Sequence, residues 1–168
     1  MAGAENIKPY HNSDAEKKEQ VAEMFNNISK RYDLLNHLLS LNIDKGWRRK
    51  VVNLVKADEP KVILDVATGT ADLAIALAKG TGARITGADI SEGMLDVGRV
   101  KVAKKGLHKS IVLELGDSEN LPYANDTFDA ITVAFGVRNF QNLHNGLKDM
   151  ARVLKPGGQT VVLEFSQP

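Results

Sequence analysis

Val62-Ile-Leu-Asp65-Val-Ala-Thr-Gly69-Thr-Ala-Asp72 is the stretch on which the fold turns. Val62–Val66 is a short apolar run of strand type. It breaks at a glycine, and a helical pattern near Ala71–Lys79 follows. A glycine-bearing turn from strand to helix lets backbone amides approach a nucleotide, at the point where an open sheet reverses its strand order. Asp89 ends the next apolar run, twenty residues beyond Gly69. There a carboxylate can accept hydrogen bonds from both hydroxyls of a ribose. The bland alternative is a tight turn in which Asp89 only caps the following helix.

Outward from that stretch, strand-like runs recur at Ala83–Asp89, Ser110–Gly116, Phe128–Phe135 and Gln159–Phe165. Helical patterns at Glu92–Lys104 and Leu143–Val153 separate them, and Asn120–Thr127 reads as a surface loop. Apolar runs alternating with helices predict an α/β, doubly wound parallel sheet covered on both faces. Upstream, Ser13–Asp58 reads as helices only. Ser13 with Glu16 has the pattern of a capping box, and Val21, Met24, Phe25 and Ile28 make one apolar face. A second helix is expected over Leu34–Leu41, with Asp33 read either as its N-cap or as a residue that orients an acceptor or takes its proton, and a third from Asp44 carrying Trp47, Val51, Leu54 and Val55. The predicted organisation is a disordered or extended tail over 1–12, a helical cover over 13–58, and a Rossmann-like core over 59–168.

Composition excludes several classes. The chain has 168 residues, 43% of them hydrophobic and 26% charged, which is the profile of a globular domain. With 22 basic and 21 acidic side chains, no net field recruits nucleic acid. The absence of cysteine removes disulfides, zinc ribbons and thiol nucleophiles together. His11, His37, His108 and His144 lack metal-ligand spacing, so no metal is expected. No apolar run reaches the ~18 residues of a membrane span, and the first residues lack a secretory core. A cytoplasmic protein is expected, with peripheral contact to the inner face of the cell membrane left open.

The charges at the turn bear on the nucleotide. Asp65 and Asp72 flank Gly69, and Asp72 stands where a dinucleotide fingerprint wants glycine. Carboxylates repel a pyrophosphate and attract the ammonium and sulfonium of S-adenosylmethionine. Asp117, after the third strand, is placed to accept from an adenine amino group while the Ser118 amide donates to the ring. Phe135-Gly-Val-Arg138-Asn139 follows the fourth strand, at the carboxyl edge where ligands bind in such sheets. An arginine there is also read, more plainly, as half of a surface ion pair. Lys101, Lys104 and Lys105 read as a solvated helix end.

Several longer motifs resemble the ubiquinone/menaquinone biosynthesis C-methyltransferases of the UbiE/MenG type. They are Tyr32-Asp33 with Asn36, Ser40 and Trp47, Gly116-Asp-Ser-Glu-Asn-Leu-Pro122, Phe135–Asn139, and Arg152-Val-Leu-Lys-Pro-Gly-Gly158 with Leu163-Glu-Phe-Ser166. The resemblance implies a class I S-adenosylmethionine-dependent fold with strand order 3-2-1-4-5, and methylation of a polyprenylated quinol, most like demethylmenaquinol. It implies cofactor contacts at Thr70, Asp89, Asp117 and Ser118, joining Asp65 and Gly69 of the turn, and places Arg138 and Asn139 at the reacting quinol. Leu35, Asp44, Ala134 and Thr160 depart from the family pattern. The family continues with a 6/7 strand hairpin beyond the fifth strand. On that comparison the chain is expected to be truncated, with its fifth strand left as an apolar edge. The alternatives are an NAD-dependent oxidoreductase, for which no Tyr-x-x-x-Lys pair is present, and a non-catalytic methyltransferase-like module.

Overall fold

The computed structural model describes residues 9, 16–39 and 43–165, with side chains from 16 to 29 and from 45 to 165. Ser13, His11, Leu41 and Ser166, and the side chains of Tyr32, Asp33, His37 and the neighbouring leucines, lie outside what it describes.

Five strands form one parallel sheet: β1 (Val62–Val66), β2 (Arg84–Asp89), β3 (Ile111–Leu115), β4 (Phe128–Ala134) and β5 (Leu154–Leu163), in the order β3-β2-β1-β4-β5. The expected order is observed. β1 is central and Ile63 through Val66 are buried, because a parallel strand with helices on both faces has no solvent side. Ile63 and Ile85 face a core closed by Leu73, Leu77, Leu95 and Val102. Leu64, Val66 and Ile131 face the other, closed by Met150 and Val153. Each such fully buried side chain contributes about 1.5–3 kcal/mol relative to exposure.

α3 (Asp72–Thr81) and α4 (Glu92–Lys104) fill the first face and α5 (Leu143–Val153) the second. The starts of α4 and α5 follow from their caps. The Ser91 hydroxyl accepts from the Met94 amide at 3.2 Å, and the Asn142 side chain from the Asn145 amide at 3.0 Å. α2 (Ile43–Lys56) joins the first face, burying Val51, Val52 and Val55 in the same core against α3 and β5, and α1 (Lys17–Leu39) packs on α4.

Two expectations need correction. α1 is continuous through Asp33, so no second helix starts there and Asp33 is not an N-cap. At the start of α1 the Glu19 carboxylate accepts from the Glu16 amide at 3.3 Å, while the expected Ser13 cap lies outside the described residues. β5 begins at Leu154 rather than Gln159. Leu154 pairs with Phe128 and Gln159 with Ala130, so the intervening Lys-Pro-Gly-Gly segment is an irregular bulge within the strand. Among the described residues β5 is an edge strand, and Val162 on it is 47% exposed.

Candidate active site

The turn after β1 is built around a buried carboxylate. Asp65 is 1% exposed and accepts from the hydroxyls of Thr68 and Thr132, each at 2.6 Å. Burial pushes its carboxyl up to about 6 against the lowering effect of those two bonds. Thr68 is thereby tied under the turn, and Ala67, Gly69 and Ala71 all adopt left-handed backbone (φ 53, 56 and 65). Glycine takes that conformation freely at 69, whereas the two alanines store of order 1–3 kcal/mol each.

Asp89 closes the turn from β2. One carboxylate oxygen accepts from the Gly69 amide at 2.7 Å and the other from the Ser91 amide at 2.9 Å. Burial raises its pKa, and the Ser91, Gly69 and Ile90 amides oppose the shift. Ser91, not Asp89, caps α4, and Asp89 lines an open cleft of about 720 Å³. The capping alternative for Asp89 is therefore set aside.

That cleft runs along the carboxyl ends of β1, β2 and β4. Gly69, Asp89, Asp117, Ser118 and Asn139 line it, with apolar walls from Val66, Ala88, Ile90 and Met94. Lys18, Val21 and Phe25 of α1 form its far side. Asp117 accepts from the Glu119 amide at 2.9 Å and from Lys18 Nζ at 3.3 Å. The Asp117 hydrogen bond and charge raise the Lys18 pKa. A second open cleft, of about 520 Å³, shares Ala67, Gly69, Ala134 and Phe135 with the first and adds Arg48, Asp65, Thr70 and Asp72. The chain can pass between the two only because Gly136 has no side chain: a Cβ there would stand 2.5 Å from that of Ala67.

The structure thus brings Gly69, Asp89, Asp117, Ser118 and Asn139 into one cleft and places Asp65 and Thr70 in the adjoining one. Thr70 is 3% exposed, and its hydroxyl accepts from Lys101 Nζ at 3.1 Å. Lys101 also pairs with Asp72, so it is not a merely solvated helix end. Asp72 faces Arg48 as well, at 3.8 Å. The electrostatic argument against a pyrophosphate accordingly no longer rests on Asp72, which Lys101 and Arg48 offset, and falls to Asp89 on the larger cleft, since Asp117 there is itself paired with Lys18.

Arg138 and Asn139 sit on a 3-10 turn over Val137–Asn139 that the sequence did not suggest. Arg138 lies outside both clefts. Its guanidinium pairs with Glu164 at 2.8 Å and lies 6.0 and 5.8 Å from the ring centres of Phe135 and Phe165. The plainer reading of Arg138, an ion pair, is realised, and its partner comes from the end of β5. Trp47 packs on both phenylalanines, at 5.7 and 5.5 Å.

Lys17, Asn26 and Glu164 were missed. Lys17 left one signal: a lysine in helical register with Val21 and Phe25 on an otherwise apolar face. Among the described residues no group of His, Asp and Glu side chains could hold a metal. None of their helices is long and apolar enough to cross a membrane.

A strand order of 3-2-1-4-5 with a glycine turn and acids ending β2 and following β3 defines the class I S-adenosylmethionine-dependent methyltransferase fold. The chain belongs to the ubiE/COQ5 methyltransferase family, which it matches over residues 13–168. It is 53% identical to the demethylmenaquinone methyltransferase of Bacteroides fragilis, over 98% of this chain and 67% of that protein. It is 47% identical to the ubiquinone/menaquinone biosynthesis C-methyltransferase UbiE of Geobacter sulfurreducens, over 91% of this chain and 60% of that one. The chain thus spans about two thirds of the length of these relatives. Among solved structures, an S-adenosylmethionine-dependent methyltransferase from Aquifex aeolicus matches with a TM-score of 0.59 at 27% identity, covering 65% of this chain and 58% of that one. The [4+2]-cyclase SpnF matches with a TM-score of 0.69 at 22% identity, covering 86% and 59%. That likeness concerns the fold alone, since one scaffold hosts different chemistries.

Proposed function

We propose that the chain transfers the methyl group of S-adenosylmethionine to a ring carbon of a polyprenylated quinol, demethylmenaquinol first among them. One observation carries the reading: a chain 53% identical to a demethylmenaquinone methyltransferase lines a single cleft with Asp89 and Asp117 and sets Asn139 beside them. The residues fit the cofactor. Asp89 stays open to ribose hydroxyls on the cleft side, and Asp117 and Ser118 are placed for an adenine edge. Asp65 and Thr70 in the adjoining cleft suit the amino-acid end. When bound, S-adenosylmethionine supplies an electrophilic methyl group on a sulfonium.

The work left to the protein is positioning and charge. A quinol carbon becomes nucleophilic as the neighbouring hydroxyl passes its proton to a water, and a cation nearby stabilises the resulting oxyanion. Arg138 is paired with Glu164 outside both clefts, so it serves the oxyanion only once the acceptor draws the guanidinium from that pair, and it then acts through its charge and not as a base. Glu164 and the Phe135 and Phe165 rings hold the guanidinium. Asn139 orients the acceptor from the cleft wall. The isoprenoid tail of such an acceptor resides in lipid, which supports peripheral contact between a cytoplasmic enzyme and the inner face of the membrane. Trp47, Phe135 and Phe165 offer the apolar surface nearest the site for it.

Calorimetric titration with S-adenosylhomocysteine, with NADH and an Asp89→Ala chain as controls, tests the cofactor half. Saturable binding that the substitution abolishes is expected, and a folded chain that binds only NADH refutes it. Incorporation of labelled methyl into demethylmenaquinol tests the acceptor half.

A further inference from the structure

Lys17 is 6% exposed, although it is a lysine in the first turn of an outer helix. Its ammonium donates to the backbone carbonyl of Phe140 at 3.0 Å and to that of Arg138 at 3.3 Å, more than 120 residues along the chain. A buried ammonium is costly unless its hydrogen bonds are made, so this contact holds a defined geometry. The two carbonyls bracket Asn139, the side chain that lines the cleft, and belong to the turn that presents Arg138.

Neighbouring contacts dock the same end of α1. The Gln141 amide nitrogen donates to Glu16 at 3.1 Å, and the Lys18 Nζ reaches Asp117. About two and a half turns further along, Asn26 accepts from the Ser91 hydroxyl at 2.7 Å and the Gly93 amide at 2.9 Å, just beyond Asp89. α1 therefore spans the cleft between the segment that holds the cofactor carboxylate and the segment that holds the reacting pair.

We propose that Lys17 is a positioning residue for methyl transfer: its ammonium fixes the Arg138–Phe140 backbone, so that Asn139 and Arg138 take their working positions only when α1 is docked. The proposal rests on the methyltransferase reading of the site. Lys17 acts through the 137–141 segment and touches no reacting atom. Its removal leaves the Asp89 end of the cleft, and the Asn26 anchor, as they are.

The test compares wild type, Lys17→Met and Lys17→Arg by amide hydrogen exchange and by S-adenosylhomocysteine calorimetry. The Asn139 and Phe140 amides, bonded to Gly136 and Val137 carbonyls, report the turn, and the Gly93 amide reports the Asn26 anchor. In Lys17→Met, exchange at Asn139 and Phe140 is expected to quicken by about tenfold or more, the scale of losing charge-assisted hydrogen bonds. Exchange at Gly93 and the affinity for S-adenosylhomocysteine should stay within about twofold, and Lys17→Arg should recover the turn's protection because a guanidinium can serve both carbonyls. In turnover the loss should fall on kcat and leave KM for S-adenosylmethionine unchanged. Unchanged exchange at Asn139 and Phe140, or equal acceleration at Gly93, overturns the proposal: the first removes the clamp, and the second makes Lys17 a general anchor of the helix. Failure of the methyltransferase reading shows separately, as wild-type protein that takes up no S-adenosylhomocysteine while the exchange difference persists.

Discussion

Thr132→Val removes one hydroxyl from beneath the site and changes little in shape. Thr132 is fully buried, and its hydroxyl donates to Asp65 at 2.6 Å. Asp65 titrates at about 6 rather than 3.8, so over that window the folded carboxyl keeps a proton that the unfolded one has lost. A raised acid makes stability fall as pH climbs between the two values and level off above them. At ~1.4 kcal/mol per unit, ionised Asp65 costs the fold about 3 kcal/mol. A hydroxyl donating to a buried carboxylate is worth about 1.5–3 kcal/mol, and one facing the neutral acid about 1. Thr132→Val is therefore expected to lose about 2–3 kcal/mol near pH 8 and about 1 near pH 4.5, and to move the Asp65 midpoint upward.

Urea unfolding followed through Trp47, the only tryptophan, measures both values. Asp89, with its raised pKa, and Asp129 and Asp149, with lowered ones, shape the absolute profile of each protein. They are common to both, so their contributions cancel in the difference. An equal loss at both pH values, or a larger loss in acid, would refute the account of Asp65 as a buried carboxylate held by hydroxyls.

Gly136→Ala drives a Cβ to 2.5 Å from that of Ala67. It should cost about 1–3 kcal/mol and weaken S-adenosylhomocysteine binding at least about tenfold, since the shared wall of the two clefts must move; wild-type affinity by calorimetry would count against the tight approach. Glu164→Gln should change unfolding free energy by less than about 1 kcal/mol, because Arg138 is half exposed. It should leave cofactor affinity alone and lower methyl transfer, and unaltered turnover would show that the pair does not orient Arg138. Asn26→Leu removes the acceptor for Ser91 and Gly93. A stability loss of about 1 kcal/mol and faster exchange at the Gly93 amide are expected.

The elements read most accurately from sequence are those whose signals are local. β1 at Val62–Val66, α4 at Glu92–Lys104 and α5 at Leu143–Val153 fall on the predicted residues, because apolar periodicity and a side-chain cap are written within one segment. The break expected at Asp33 fails for the same reason in reverse. A polar residue before a leucine run looks like a cap, yet nothing local prevents a helix from running through it. β5 starts early because pairing of Leu154 with Phe128 adds a strand residue before the bulge, and pairing is not a property of the Lys-Pro-Gly-Gly segment alone.

The sequence by itself determined the alternation of strands and main helices from β1 onward, the glycine turn after β1, the acid at the end of β2 and the family to which they belong. Each follows from the chemistry of a few consecutive residues or from a fixed spacing. Tertiary structure alone decided which groups meet. It set Asp65 among hydroxyls from the turn after β1 and from β4, neutralised Asp72 with Lys101, turned Arg138 to Glu164, and buried Lys17 against the carbonyls around Asn139. Those pairings join segments from 3 to more than 120 residues apart. The desolvation that gives them their strength exists only once the sheet and its covering helices have closed.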